Sequence, residues 1–122
     1  MKKIFLICPV RNASENQKAF MMDYIAKLES EGNKVHYPAR DTNQVDPTGG
    51  WQICTDNSNA IKNADEVHIF WDDTSTGTLF DLGVAFASGK PLAVINSEDI
   101  NISNTKSFHN LINYWFVNEK FR

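Results

Sequence analysis

The sequence predicts one α/β domain in which a parallel sheet is covered by helices on both faces. Its 122 residues are enough for a single hydrophobic core. Short apolar runs alternate with amphipathic segments along the chain, a pattern that predicts parallel strands joined by right-handed helical crossovers. We therefore expect one flavodoxin-like or Rossmann-like domain over residues 1–122, without a linker or an internal repeat.

The first part of the chain supplies two predicted strands and one helix. Lys3–Cys8 is a continuous apolar run, typical of a central parallel strand that is buried on both faces. Ser14 is a good N-cap residue, and Gln17 completes a capping box at the start of the helix. The apolar stripe predicted for this helix contains Phe20, Tyr24 and Leu28, with Met21 and Ile25 beside it. Lys34–Tyr37 is a short second strand.

The rest of the chain continues the alternation. In chain order it gives an irregular segment over Pro38–Gly50, a helix over Trp51–Asn63, a strand over Glu66–Trp71, a helix over Leu79–Ser88, a strand over Leu92–Ile95, a polar loop over Ser97–Asn104 and a final amphipathic helix around Phe108–Phe116. An irregular segment as long as Pro38–Gly50 is more often functional than idle in a compact domain.

Charge and hydropathy exclude several classes of partner. The net charge is −3 and the basic residues are scattered, so we expect no nucleic-acid polymer and no membrane as partner. No run approaches the ~20 apolar residues that span a bilayer. The apolar run at the N-terminus ends at Val10 without a cleavage site, so it is interpreted as a strand rather than a signal peptide. Cys8 and Cys54 are predicted to be buried free thiols, which suit a cytoplasmic location.

Motifs for common cofactors are missing. The chain has neither a GxGxxG fingerprint nor a GxxxxGK[ST] loop, so dinucleotide and nucleoside-triphosphate binding lack support. His36, His68 and His109 are isolated from other metal-ligand residues, and His68 lies within a strand, where a hydrogen-bonded core or edge histidine is the expected role. We expect no metal and no cofactor.

Polar side chains follow each predicted strand, at the edge of an open α/β sheet where ligands bind. They are Arg11, Asn12 and Ser14 after the first strand, Arg40, Asp41, Asn43 and Asp46 after the second, Asp72, Asp73, Thr74, Ser75, Thr76 and Thr78 after the third, and Asn96 and Ser97 after the fourth. These loops predict a crevice with carboxylates on one side and a guanidinium on another.

Asp81, inside the third long helix, has two interpretations that the residues alone leave open. Its carboxylate could attack the anomeric carbon of a sugar, with Asp72 or Asp73 as a second carboxyl group. Alternatively, Thr78 and Asp81 have the spacing of a capping box, and a helix dipole favours an acid in the first turn by ~0.3–1 kcal/mol. Asp72 and Asp73 could likewise be ordinary solvated loop acids.

One block of the chain carries a family pattern. The order D-x4-G-T-x-x-acid-L-G-x-A-x-A-x-G-K-P, between two strands, is formed by Asp72, Gly77, Thr78, Asp81, Leu82, Gly83, Ala85, Ala87, Gly89, Lys90 and Pro91. Weaker matches upstream are the first strand and turn, Ile4–Val10, and the series Asn57, Ile61, Ala64 and Asp65. Taken together, residues 3–95 resemble the nucleoside 2-deoxyribosyltransferase family, which includes the related deoxynucleoside 5′-monophosphate N-hydrolases.

The resemblance implies roles for particular residues. Asp81 would be the nucleophile that attacks C1′ of a deoxyribose, and Arg11 would contact a 5′-phosphate. Asp72 or Asp73 would orient the sugar or the base. Further candidates for substrate contact are Asn12, Asn57, Thr78 and Trp51, whose indole could stack on a base or pack in the core. The family is commonly oligomeric, so a homo-oligomer is expected, and the aromatic residues of the last helix could supply its interface.

Two departures from the family pattern matter. The family nucleophile is usually glutamate, and a displacement of about an ångström caused by the shorter Asp81 can cost ~10²-fold in rate. The acid usually found four residues before Ile61 is replaced by Asn57, which leaves Asp56 as the candidate for proton handling. We predict transfer or hydrolysis at the N-glycosidic bond of a 2′-deoxynucleoside or its 5′-monophosphate. The alternative is a non-catalytic nucleotide-binding or sensing domain.

Overall fold

The sheet is parallel throughout, as predicted. The computed structural model describes residues 1–119. Its strands are β1 (Lys3–Ile7), β2 (Lys34–His36), β3 (Glu66–Ile69) and β4 (Leu92–Val94), and they lie in the order β2-β1-β3-β4. The chain leaves β1 towards one edge of the sheet and β3 towards the other. The crevice between the carboxyl ends of β1 and β3 is therefore the topological switch point, where open α/β sheets bind ligands.

Helices cover both faces of the sheet. They are α1 (Glu15–Ser30), the single turn α2 (Pro38–Asp41), α3 (Trp51–Asn63), α4 (Thr76–Ala87) and α5 (Phe108–Glu119), and a 3₁₀ turn covers Ser97–Asp99. Successive residues of β1 point to opposite faces. Phe5 packs with Ile61 and Leu82 in one core layer, whereas Leu6 packs with Ile25 in the other. The two layers confirm the prediction that β1 is buried on both faces.

The start of α1 is predicted correctly, but its buried face is rotated. Ser14 Oγ accepts a hydrogen bond from the Gln17 backbone at 3.1 Å, and Gln17 Oε1 accepts one from the Ser14 backbone at 2.9 Å. The buried residues of α1 are Met21 and Ile25, while the predicted stripe residue Phe20 is 48% exposed. The rotation arises because α1 packs against β1 and β2 beside it, which local periodicity does not encode.

The helix that carries Asp81 begins earlier than predicted. Ser75 is its N-cap, because Ser75 Oγ accepts a hydrogen bond from the Thr78 backbone N–H at 3.3 Å. The first helical residue is Thr76, so Asp81 lies in the second turn, and the first turn contains no acidic residue. The interpretation of Thr78 and Asp81 as a capping box is therefore wrong.

The structure can also be compared with the predictions for the segment Pro38–Gly50, for His68 and for the two cysteines. The segment Pro38–Gly50 is irregular apart from α2. His68 is hydrogen-bonded through both ring nitrogens, to the Tyr24 hydroxyl at 2.6 Å and to Glu66 at 3.0 Å, which confirms its structural role. Both cysteines are free thiols; Cys8 is buried as predicted, whereas Cys54 is only partly buried because it lines the cleft. Within residues 1–119 no helix combines the length and apolar character needed to cross a membrane.

Candidate active site

A cleft of about 300 Å³ opens at the switch point of the sheet. This volume is at the lower end of the ~300–1,000 Å³ range of small-molecule pockets. Four segments form its walls: the loop after β1, the segment after β2 with Pro38 and Gln44, the loop after β3 with the first turns of α4, and one face of α3. The lining residues include Cys8, Arg11, Asn12, Cys54, Asn57, Asp72, Gly77 and Asp81. Arg11, Asp72 and Asp81 therefore open onto one crevice.

Asp81 carries a buried carboxylate in the wall of the cleft. Its residue is only 7% exposed, and within residues 1–119 no side chain or backbone group forms a hydrogen bond or an ion pair with it. Burial raises the pKa of Asp81 from 3.8 to about 7, because the charged form loses its hydration. Such a perturbed group in a cleft is a typical candidate for catalysis. Both carboxylate oxygens are available to a ligand.

Two thiols lie close to this carboxylate in the cleft wall. Burial, together with the charge of Asp81, raises the pKa of Cys8 to about 12. The same two effects raise the pKa of Cys54. Because the thiolate is the nucleophilic form of cysteine, both side chains are unreactive near neutral pH.

Asp72 has one oxygen fixed and the other free. Its Oδ1 accepts hydrogen bonds from the Thr74 backbone N–H at 2.9 Å and from the Thr74 hydroxyl at 2.6 Å. No atom in the part of the chain described contacts Oδ2 as a donor. The local turn therefore orients the carboxylate and leaves Oδ2 able to accept a hydrogen bond from a ligand hydroxyl.

Arg11 offers an uncompensated positive charge at the cleft. It is exposed, and across residues 1–119 its guanidinium has neither a hydrogen bond nor an ion pair. Arg40, by contrast, is held by Glu29 at 3.2 Å and by Asp41 at 2.9 Å. The free guanidinium of Arg11 can bind an anionic group of a ligand in a bidentate manner.

Four further candidates lie outside the cleft lining. Asp56 is exposed on α3. The carboxylate of Asp73 points towards His109, at 4.0 Å. Thr78 is 1% exposed and donates its hydroxyl hydrogen to Ser75 at 2.9 Å, so it stabilises the start of α4. Trp51 is 78% exposed at the start of α3.

The loop after β2 contributes less to the cleft than expected. Asp46 accepts hydrogen bonds from the backbones of Gly50 and Ile53, at 3.1 and 2.9 Å, and thus caps α3. Asp41 accepts one from the Tyr37 backbone at 2.8 Å. Gln44 is the polar residue of this loop that lines the cleft. Among residues 1–119, no three His, Cys, Asp or Glu side chains are placed to hold a metal ion.

The wall formed by α3 was predicted only in part: Asn57 was a candidate, whereas Ile53 and Cys54 were not. Gly50, Ile53, Cys54 and Asn57 all line the cleft. Their spacing of three or four residues puts them on one face of the helix. That spacing around Asn57 is the signal that could have identified Cys54 and Ile53 as wall residues.

The fold and the cleft define a class of protein: α/β domains that bind a small molecule at the switch point of a parallel sheet. Comparison with known families is more specific, because the nucleoside 2-deoxyribosyltransferase family matches residues 4–114. The chain therefore belongs to the nucleoside 2-deoxyribosyltransferase family. It is an enzyme with activity of the deoxyribosyltransferase or N-glycosidase type.

Several solved structures are similar to this chain. The CMP N-glycosidase BcmB of Clostridium botulinum is 28% identical, with a TM-score of 0.57 over 76% of this chain and 70% of that protein. A 2-deoxyribosyltransferase of Bacillus psychrosaccharolyticus is 22% identical, with a TM-score of 0.61 over 96% and 95%. A conserved protein of Enterococcus faecalis V583 is 15% identical, with a TM-score of 0.66 over 85% and 69%. The last two likenesses show the fold. No curated protein sequence matches the chain.

Proposed function

We propose that the protein cleaves the N-glycosidic bond of a nucleoside 5′-monophosphate, preferentially a 2′-deoxy one, with Asp81 as the nucleophile. The observation that carries this proposal is the buried, unpartnered carboxylate of Asp81 in a cleft that Arg11 also lines. Membership of the family supports the reaction type. The similarity to a CMP N-glycosidase supports a phosphorylated substrate.

The proposed reaction has two steps. An oxygen of ionised Asp81 bonds to C1′ while the C1′–N bond breaks, and the electron pair of that bond leaves with the base. The departing base takes up a proton from solvent water. Water or a second base then attacks C1′, loses a proton to solvent and releases ionised Asp81, which gives hydrolysis or transfer respectively. Asp72 Oδ2 accepts a hydrogen bond from a sugar hydroxyl. Asp56 has no part in this scheme, because its side chain is exposed outside the cleft.

The helix surface beside Asp81 can accommodate a closely bound sugar. Gly77 lies four residues before Asp81, on the same face of α4. It lines the cleft, and apart from its chain neighbours and the adjacent backbone of α4 no described atom lies within 4 Å of the position that a Cβ would occupy there. We propose that the sugar approaches α4 at Gly77, beside the carboxylate of Asp81.

Arg11→Ala is expected to separate phosphorylated from unphosphorylated substrates. A charge-assisted contact to phosphate is worth about 1.5–3 kcal/mol, so kcat/KM for a deoxynucleoside monophosphate should fall about tenfold or more. Turnover of the corresponding deoxynucleoside should change little. Lys27→Ala, which removes an exposed positive charge on α1, is the matched control. Equal losses for both substrates, or no loss for either, would refute the phosphate contact.

Base release from a panel of nucleosides and monophosphates tests the reaction itself. Free base is expected from at least one monophosphate, and addition of a second base distinguishes transfer from hydrolysis by the appearance of a new nucleotide. Tight binding without any base release would instead support the non-catalytic nucleotide-binding alternative. That alternative would require that this chain has lost the catalytic activity of its family.

We further propose that the protein is cytoplasmic and that it associates with itself. The free thiols of Cys8 and Cys54 support a reducing, cytoplasmic environment. The exposed aromatic side chains of α5, Phe108 (50%) and Tyr114 (70%), support self-association. Trp115 does not belong to this surface, because it is 6% exposed and donates a hydrogen bond to the Lys90 carbonyl at 2.9 Å.

A further inference from the structure

Asn57 is buried in the cleft wall with half of its amide unpaired. It is 7% exposed, and its Oδ1 accepts a hydrogen bond from the Thr42 hydroxyl at 2.7 Å. Its Nδ2 has no acceptor among the residues that the structure describes. A buried donor without a partner is destabilising, because it has given up its hydrogen bond to water. An acceptor on a ligand in the cleft would remove that cost.

The hydrogen bonds around Thr42 match the orientation of the Asn57 amide, whose Oδ1 faces Thr42. The Thr42 hydroxyl has one hydrogen, which it gives to Asn57, and it also lies 2.8 Å from His36 Nε2. His36 must therefore donate from Nε2 to the Thr42 oxygen. Thr42 is 5% exposed, and the His36 ring is stacked on Phe5 with centroids 5.2 Å apart. This arrangement presents the NH₂ group of Asn57, rather than its carbonyl, to the cleft.

The protonation state of His36 agrees with a hydrogen bond donated from its Nε2 to the Thr42 oxygen. Burial lowers the pKa of His36 below its ordinary value, although the nearby carboxylates of Asp41 and Asp56 oppose the shift. A neutral imidazole carries one N–H, and the bond to Thr42 requires that hydrogen on Nε2. His36 and Thr42 thus act as positioning residues for Asn57.

The position of Asn57 suits contact with the departing base. Asn57 lies three residues after Cys54 on the same face of α3. The charge of Asp81 contributes to the raised pKa of Cys54, so Asp81 is close to this face. When the C1′–N bond breaks, negative charge develops on acceptors two bonds from the glycosidic nitrogen, namely O2 of a pyrimidine or N3 of a purine. A fixed donor at that point stabilises the transition state more than the ground state.

We propose that Asn57 donates a hydrogen bond to this acceptor of the leaving base, and that the His36–Thr42 pair holds its amide in the donating orientation. The inference rests on the proposed N-glycosidic cleavage. It also assigns a role to Asn57, which occupies the position of the usual family acid. An ionised carboxylate there would repel the charge that develops on the base, whereas the amide remains a donor at every pH.

The first test compares leaving groups. Asn57→Ala is expected to lower kcat about 10–100-fold for dCMP, dAMP or both. It should change kcat less than about threefold for 4-nitrophenyl 2-deoxyriboside 5′-phosphate, whose leaving group has no such acceptor. A loss confined to dCMP or to dAMP identifies O2 or N3 as the acceptor. Asn59→Ala, at an exposed position of α3, is the control. An equal loss with the nitrophenyl substrate would overturn the contact with the base.

A double-mutant cycle tests the orientation of the amide without relying on that substrate. Thr42→Val removes the hydroxyl that fixes Asn57 and should lower kcat for the nucleotide about 3–10-fold. Combined with Asn57→Ala, it should cause no further loss, because the two residues act as a unit. Additive losses would overturn the positioning role.

Failure of this inference can be distinguished from failure of the proposed function. If the wild type releases base and Asp81→Asn does not, but Asn57→Ala behaves like the wild type, the role of Asn57 alone is refuted. If the wild type is inert, or if Asp81→Asn retains activity, the proposed reaction itself is refuted.

Discussion

Asp81→Asn is expected to abolish base release, with a fall in kcat of about 10³-fold or more. Asparagine has nearly the same size as aspartate, but its amide cannot attack C1′. The measurement is chromatographic detection of free base from the best monophosphate substrate. Asp23→Asn is the matched control, because Asp23 is an exposed aspartate on α1, away from the cleft. Activity of Asp81→Asn within a few-fold of the wild type would exclude Asp81 as the nucleophile.

Asp81→Glu examines how closely the site is adapted to the shorter acid. The additional methylene moves the carboxylate by about an ångström, and a displacement of that size can cost ~10²-fold in rate. We expect a lower kcat, because in the proposed reaction the sugar is held at the distance that suits the shorter acid. A higher kcat would contradict this adaptation and would indicate a family member whose catalysis has lapsed.

The same Asp81→Asn substitution is expected to stabilise the folded protein above pH 7. The pKa of Asp81 is about 7 in the folded protein, compared with 3.8 as its ordinary value. The folded state therefore binds this proton more tightly than the unfolded state. Its stabilising contribution is complete below pH ~4 and is lost as the pH rises through about 7. Asparagine does not ionise, so the gain at pH 8 should be about 1–3 kcal/mol, reduced by the unpaired amide.

Chemical unfolding of the wild type and Asp81→Asn between pH 4 and pH 8 measures this effect. The advantage of the variant should be small at pH 4 and largest at pH 8, whereas Asp23→Asn should show no comparable trend. A lower free energy of unfolding for Asp81→Asn at pH 8, or a difference independent of pH, would contradict the account. Such a loss, of at most ~1 kcal/mol, is what a helix-capping role would produce.

The fold was largely predictable because it depends on patterns that are local in sequence. The apolar run of β1 and the alternation of strands and helices are sufficient to predict a covered parallel sheet. The start of α4 was not predictable in the same way. Ser75 and Thr78 are both good N-cap residues, and the structure uses Ser75. Neighbouring elements decide between two such caps, and that choice determines where Asp81 lies.

The site was predictable to the extent that it follows from topology. Arg11 and Asp72 come after neighbouring parallel strands, so both lie at the same edge of the sheet, and both line the cleft. The contribution of α3 depends on which helical face packs inward, and the sequence indicated Asn57 on that face but not Ile53 or Cys54. The hydrogen bond between Thr42 and Asn57 joins residues from the loop after β2 and from α3. Such contacts depend on tertiary packing and leave no local signature.

Trapping of a covalent intermediate on Asp81 tests the central claim most directly. A 2′-deoxy-2′-fluoroarabinosyl nucleoside 5′-monophosphate carries an electron-withdrawing fluorine beside C1′, which disfavours the oxocarbenium-like transition states of both steps. The enzyme should therefore accumulate an adduct whose added mass equals the fluorinated sugar phosphate, located on the peptide that contains Asp81 and absent from Asp81→Asn. Turnover of this substrate without an adduct, or an adduct on another residue such as Asp72, would contradict a nucleophilic Asp81.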